Sequence, residues 1–267
     1  MAASDIAVIP SKRQDHAHAA SRIATSFKSC CLQSQVALSV RVRRMTKALS
    51  LRAAGVFSLL ALTLMLLGSA VILASSGTAA QDPLETFSDP ATFTAFLQVA
   101  DPALRTALFL DGLFALSYAG AVGFAVIGFR DRCLPAAWAG GLGILVTMVL
   151  DVSENLLMMG SLGLAGAGEE ITVERITLHV FVSGMKLHLA AFSLAAFTFT
   201  LPERGLVTWL IRWGGRTIMP IAAILFVTDA FGMSANASLG VFVAMTGGFA
   251  LQAILMFREA KGQRRAD

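Results

Sequence analysis

The sequence predicts an all-α fold: a polytopic transmembrane helical bundle of about six spans, with both termini cytoplasmic. The chain has 267 residues, of which 56% are hydrophobic and only 14% are charged, and its mean hydropathy is +0.71. These values are typical of membrane proteins and leave little sequence for a soluble domain. The apolar runs are also long enough to cross a bilayer, which takes about 20 residues for a helix.

Residues 1–53 are predicted to form a disordered basic N-terminal arm, followed by a helical membrane domain, 54–257, and a basic cytoplasmic tail, 258–267. Nine basic residues lie between Lys12 and Arg52. Polar, charged segments of this kind do not bury enough apolar surface to fold. Because the basic residues gather at the chain ends and in short loops, they indicate topology, and we expect no nucleic-acid partner. An alternative start at Met45 would place a short basic segment directly before the first apolar run.

The first apolar run covers about Ala54–Ala74 and ends in the small residues of 75–80. Such an ending resembles a signal-peptidase site, and cleavage after this run is therefore an alternative. A signal core usually has about 7–15 apolar residues, whereas this run is long enough to span the bilayer. We therefore favour an uncleaved membrane anchor.

Five further apolar runs predict five further spans. A stretch before the fifth of the six spans, residues 205–213, carries Trp209 and Trp213 and is interpreted as interfacial, because tryptophan favours the headgroup region. The predicted spans after the first are Leu104–Phe129, Pro135–Leu162, Ile176–Leu201, Thr217–Met233 and Ala237–Phe257.

The charges of the connections predict the orientation. With six spans, the basic arm, the basic tail and the connections carrying Arg130, Arg132, Arg204, Arg212 and Arg216 all fall on one side. Basic loops mark the cytoplasmic side. The connections on the other side are acidic, and removal of one interior span would put basic loops on both sides. We expect a multi-pass protein of a cell inner membrane or plasma membrane, with the lipid bilayer as its partner.

Small residues predict close packing between the second and third spans. Gly112, Ala115, Ala119 and Gly123 share one ridge of the second span, and Gly140, Gly141 and Gly143 lie in the third. Small side chains let helix backbones approach closely inside a membrane.

The third span contains two acids and an amide within its apolar sequence, Asp151, Glu154 and Asn155. A charge at the bilayer centre costs about 2.5–3.5 kcal/mol on insertion scales, so these groups must face the protein interior. Residues three, four and seven apart share one helix face, which aligns further polar residues on the second and fourth spans. The candidate substrate-, ion- or proton-binding residues are Asp111, Asp151, Glu154, Asn155, His179 and Lys186, with Tyr118, Ser183 and Asp229 as secondary candidates.

The preferred hypothesis is a transporter of a small solute or cation. Acids outnumber cations among the candidates, and a purely structural core would not need this excess. Asp151 and Glu154 would bind the cation or carry protons, while Lys186 would balance their charge.

Two other functions are kept open. One is an intramembrane metal-dependent hydrolase that uses Asp111, Asp151, Glu154 and His179 as ligands, or a Ser183–Lys186 pair as nucleophile and base. The other is a noncatalytic assembly or sensory protein, whose polar residues only fix helix packing and which is compatible with a homo-oligomer. The sequence contains no H-E-x-x-H, G-x-S-x-G or P-loop motif, so it assigns no enzyme class, metal site or cofactor.

Overall fold

The computed structural model describes residues 45–78, 80–85, 89–203, 205–228 and 232–265. Six helices in this part of the chain are long and apolar enough to cross a membrane. The predicted all-α, multi-spanning bundle is confirmed. The helices are α1 (Met45–Ala74), α2 (Pro90–Phe129), α3 (Leu134–Gly166), α4 (Val173–Thr198), α5 (Leu206–Thr228) and α6 (Ser234–Arg265), and a short 3-10 helix covers Asp82–Leu84.

Large apolar side chains cover the outside of the bundle. Phe109, Leu156 and Phe181 are each more than 60% exposed, which would be unfavourable in water but suits contact with lipid tails. The protein is therefore a multi-pass membrane protein in contact with the bilayer.

The second helix begins at Pro90, well before the predicted span start at Leu104. Asp89 caps the helix, because its carboxylate accepts a hydrogen bond from the Thr92 amide at 2.9 Å, and Pro90 occupies the first turn. Both residues favour a helix start. Hydropathy detects only the apolar part of this helix, so the predicted boundary was too late.

Two other predicted boundaries fall inside helices. The chain is helical from Met45, so residues 45–53 of the predicted arm belong to α1, and α6 carries the predicted tail in helical form as far as Arg265. The stretch 205–213, interpreted as interfacial, continues into the fifth span through a π-helical segment, Gly214–Ile218. Residues 1–44, which make up most of the predicted arm, lie outside the described residues.

Helices α1, α2 and α6 pack against one another. Phe57 of α1 stacks on Phe124 of α2, with ring centroids 5.6 Å apart. The Phe257 ring of α6 lies against Gly55 of α1. Gln252 of α6 also donates a hydrogen bond to a backbone carbonyl of α2, at 3.1 Å. These contacts bring the last helix back beside the first two.

Helices α3 and α4 approach closely at two glycines. A Cβ atom on Gly140 would lie 2.9 Å from the Phe197 backbone nitrogen, and one on Gly143 would overlap the Ser193 hydroxyl. The predicted close packing of the second and third spans is confirmed, but Gly140 and Gly143 face α4 and do not contribute to it. Only Gly141 faces α2, where its Cβ would lie 3.3 Å from Val126.

The substitution Gly140→Ala is expected to lower the free energy of unfolding by about 1–3 kcal/mol, because an added methyl group must displace the α4 backbone. Gly163→Ala in the same helix is the matched control, since its Cβ would meet no atom within 4 Å. That control should be neutral or stabilising, as alanine favours a helix over glycine. Reversible unfolding in mixed micelles measures both effects, and equal stability of the two variants would contradict the packing.

The connection between α1 and α2 folds into the bundle. Leu84 is only 1% exposed and packs in a cluster with Phe93, Leu97 and Ile171. The Ile171 amide, in the connection between α3 and α4, donates a hydrogen bond to the Thr94 hydroxyl at 3.0 Å. Two connections are thereby fixed at the same end of the bundle.

The stability of the N-terminus of α2 is expected to depend on pH through its capping residue, Asp89. Hydrogen bonds from the Thr92 side chain and amide lower the pKa of Asp89 below its ordinary value of 3.8. Because the pKa of Asp89 is lowered in the folded state, its ionised carboxylate stabilises the helix start at pH values above the ordinary pKa. This stabilisation is lost as the pH falls through the lower pKa of the folded state. Hydrogen-exchange protection of the Thr92 amide should fall in that acidic range. Asp89→Ala should already lack this protection at neutral pH, and equal protection in both proteins would refute the cap.

Candidate functional site

Lys186 lies at the middle of α4 among three carboxylates. Its Nζ atom is 2.5 Å from Glu154 Oε2, 3.1 Å from Asp151 Oδ1 and 3.9 Å from Glu85 Oε1. Asp151 and Glu154 are three residues apart on α3, so both carboxylates point from one helix face toward α4. All four side chains are at most 13% exposed. The ammonium group therefore lies in a buried acidic environment.

His179 and Asn155 extend this group on two sides. His179 Nε2 is 3.8 Å from Glu154 Oε1, and both side chains are 4% exposed. Asn155 Nδ2 donates a hydrogen bond of 2.8 Å to Asp111 Oδ2 and so connects α3 to α2. The structure thus brings the six primary candidates into one polar centre, formed by Asp111, Asp151, Glu154, Asn155, His179 and Lys186 together with Glu85.

Glu85 was missed by the sequence analysis, which placed it in an acidic loop outside the membrane. It reaches the polar centre because the neighbouring Leu84 is buried and draws the connection into the bundle. One leucine beside Pro83 in a short polar connection does not by itself predict burial. Its position in the sequence also does not show which helix of the bundle it contacts. The approach of Glu85 to Lys186 depends on tertiary packing.

The secondary candidates differ in their placement. Tyr118 is 5% exposed and Ser183 is 1% exposed, and neither hydroxyl has a partner at hydrogen-bond geometry in the described part of the chain. Tyr118 faces Asp151. Asp229 lies outside the described residues.

The described residues do not form the geometry of the hydrolase hypothesis. Ser183 makes no hydrogen bond to Lys186, whose ammonium is occupied by carboxylates. Within the described ranges, no group of three or more His, Cys, Asp or Glu side chains is placed to hold a metal ion. The contacts present are those of charge compensation between Lys186 and the carboxylates around it.

A cavity of about 770 Å³ adjoins the polar centre. Glu85, Asp111, Asp151 and Lys186 form part of its wall, whereas Glu154 and His179 are not among its lining residues. All six helices contribute to the lining, with apolar examples at Met65, Phe114, Ile144, Leu194, Ile218 and Phe249.

The cavity is elongated, and its charged residues lie toward one end. On α4 its lining runs from Lys186 to Thr198, a distance of about 18 Å at the helical rise of 1.5 Å per residue. The π-helical segment of α5 lines the far end with Gly214, Gly215 and Ile218. Single π turns inside α-helices occur frequently at functional sites.

Arg216 connects α5 to α4 near the far end of the cavity. Its Nε donates a hydrogen bond of 2.7 Å to the Thr198 hydroxyl, and its guanidinium carbon lies 3.8 Å from the centre of the Phe199 ring. Both contacts join the π-helical segment of α5 to the end of α4. Arg216 is not among the lining residues, and the far end is lined by Thr198, Gly214, Gly215 and Ile218.

Comparison of the sequence with protein-family models, curated proteins and solved structures gave no match.

Proposed function

We propose that this protein binds a small cationic solute or cation in the cavity and moves it across the bilayer, with both termini on the cytoplasmic side. One observation carries the proposal: among the described residues, three carboxyl groups, those of Asp111, Asp151 and Glu154, lie around one ammonium group, Lys186, in a buried site beside a cavity. Buried charge that is not balanced inside the protein calls for a counter-charge from elsewhere. A cation or protons entering the cavity would supply it.

Asp111 is the acid best placed to receive such a cation. Its hydrogen-bond partner is the neutral amide of Asn155, at 2.8 Å, and its side chain lines the cavity. Glu154, in contrast, is held by Lys186 behind the cavity wall. A structural centre would be expected to pair each acid with a basic group, and Asp111 departs from that pattern.

The remaining charged residues have complementary roles in this proposal. Asp151 lies beside Lys186 in the cavity wall, so it can exchange its contact with the ammonium for a contact with an entering cation. Glu154 keeps Lys186 in place during that exchange. Lys186 thereby balances charge when the site is empty and repels the cation once it is bound, which favours release.

Uptake into proteoliposomes tests the proposal. The probe is radiolabelled tetraethylammonium, and protein-free vesicles give the background. The test protein is the quadruple variant Asp111→Asn, Asp151→Asn, Glu154→Gln, Lys186→Met, which also removes the acid best placed to bind the cation. It removes the buried pair together, which usually preserves folding, whereas removal of one partner leaves a buried charge. Uptake should fall to background in this variant while gel filtration shows a folded protein.

Asp101→Asn is the matched control. Asp101 lies on α2 and pairs with Arg105, and it is not among the cavity-lining residues. Its uptake should equal that of the natural protein. Saturable uptake that survives in the quadruple variant would overturn the role of the polar centre. Absence of saturable binding or uptake in the natural protein would overturn the function.

A further inference from the structure

We infer that the substrate is an amphipathic organic cation, with a quaternary or alkylated ammonium head at the polar centre and an apolar body extending along the cavity. This inference rests on the proposed function and names its substrate class. A metal cation or a small hydrated ion would use only the charged end of the cavity. The geometry points to a longer molecule.

The first support is the shape and polarity of the cavity. Its volume of about 770 Å³ is within the range of sites that enclose drug-sized ligands, about 300–1,000 Å³. Its charged residues lie toward one end, and the other walls of the cavity are mainly apolar, including Leu194, Phe197 and Phe249. An apolar volume of this size suits a hydrocarbon body and offers few ligands to an inorganic ion.

The second support is an aromatic pair beside the acids. Tyr118 and Phe114 line the cavity on the same helix as Asp111, with ring centroids 5.3 Å apart in an edge-to-face arrangement. Aromatic faces attract alkylated ammonium groups, and this recognition combines well with a nearby carboxylate. The Tyr118 hydroxyl is buried without a partner at hydrogen-bond geometry in the described chain. It faces Asp151, so the aromatic pair and this carboxylate lie beside the same part of the cavity.

The third support is a set of glycines along the apolar walls. Gly68 of α1 and Gly247 and Gly248 of α6 line the cavity, and a Cβ atom on any of them would meet no atom within 4 Å. Larger side chains would fit these positions sterically and would fill the space. The small residues therefore keep the apolar part of the cavity wide.

Binding of an alkyltrimethylammonium series tests the inference. The probes are tetramethylammonium, butyltrimethylammonium and hexyltrimethylammonium, measured by equilibrium dialysis against protein in lipid nanodiscs, with empty nanodiscs subtracted. Full burial of one methylene gives about a fourfold gain in affinity. The hexyl probe should therefore bind at least 100-fold more tightly than tetramethylammonium.

The matched variants are Gly248→Phe and Gly123→Phe. Gly123 of α2 also has open space at its Cβ position but is not a lining residue. Gly248→Phe should weaken hexyltrimethylammonium binding at least tenfold and leave tetramethylammonium binding unchanged. Gly123→Phe should change neither.

The outcomes separate the two proposals. If tetramethylammonium binds and longer chains bring no gain, the amphipathic substrate is refuted and the cation site stands. A gain that is the same in Gly248→Phe would place the alkyl chain outside the cavity and also refute the inference. If no probe binds above empty nanodiscs, both proposals fail.

Discussion

The substitution Lys186→Met is expected to lower the free energy of unfolding by about 3–5 kcal/mol, the usual cost of removing one partner of a buried ion pair. The Nζ atom of Lys186 lies 2.5 Å from Oε2 of Glu154 and 3.1 Å from Oδ1 of Asp151. Without it, the two buried carboxylates repel each other and lack compensation. Reversible unfolding in mixed micelles measures the loss.

Neutralising one acid at the same time should recover part of this loss. The double variant Lys186→Met, Glu154→Gln removes the closest pair, so its free energy of unfolding should exceed that of Lys186→Met alone by at least about 1 kcal/mol, the interaction energy expected for residues in contact. Lys186→Met with Asp101→Asn is the control and should show no recovery. Additive effects in both double variants would show that Lys186 does not pair with Glu154.

Replacing Asp111 with asparagine should separate function from stability. An asparagine at this position still offers a carbonyl oxygen to the Asn155 amide, so the hydrogen bond of 2.8 Å between α3 and α2 can be kept while the charge is removed. Stability should be unchanged or higher, because one uncompensated buried charge is gone. The affinity for the cation should fall on the order of 100-fold, which corresponds to about 2.7 kcal/mol. This loss is smaller than about 4 kcal/mol, the energy of a charge pair at 4 Å with an effective dielectric constant of 20.

The measurement is equilibrium binding of tetraethylammonium to the purified protein, together with an unfolding curve for each variant. Asp101→Asn again serves as the control of equal charge change. In a noncatalytic assembly protein, Asp111→Asn would leave tetraethylammonium binding unchanged, because no cation site would depend on this carboxylate. That pattern would favour the structural interpretation of the polar centre.

The fold was predictable because a membrane imposes strong constraints on sequence. An apolar run of about 20 residues has few alternatives to a spanning helix. The buried stripe of α3 followed from helical spacing, since Thr147, Asp151, Glu154 and Met158 are all at most 5% exposed.

Other features depended on tertiary contacts that spacing does not encode. The sequence did not show which helix Gly140 and Gly143 face, because glycine offers no side chain whose chemistry selects a partner. Glu85 enters the site only through the burial of its neighbour Leu84. The long extension of α2 before its apolar part depends on the cap at Asp89 and on contacts such as Thr94 with Ile171.

The position of a bound cation is the most direct test of the proposed site. Tetraphenylarsonium combines a permanent positive charge with an apolar body, and its arsenic atom is located by anomalous diffraction from co-crystals. The structure predicts one strong arsenic peak in the cavity beside Asp111, Asp151 and Tyr118, and no such peak in crystals of Asp111→Asn. An arsenic peak only on the lipid-facing surface, or an equal peak in the cavity of the variant, would contradict a cation site formed by these carboxylates.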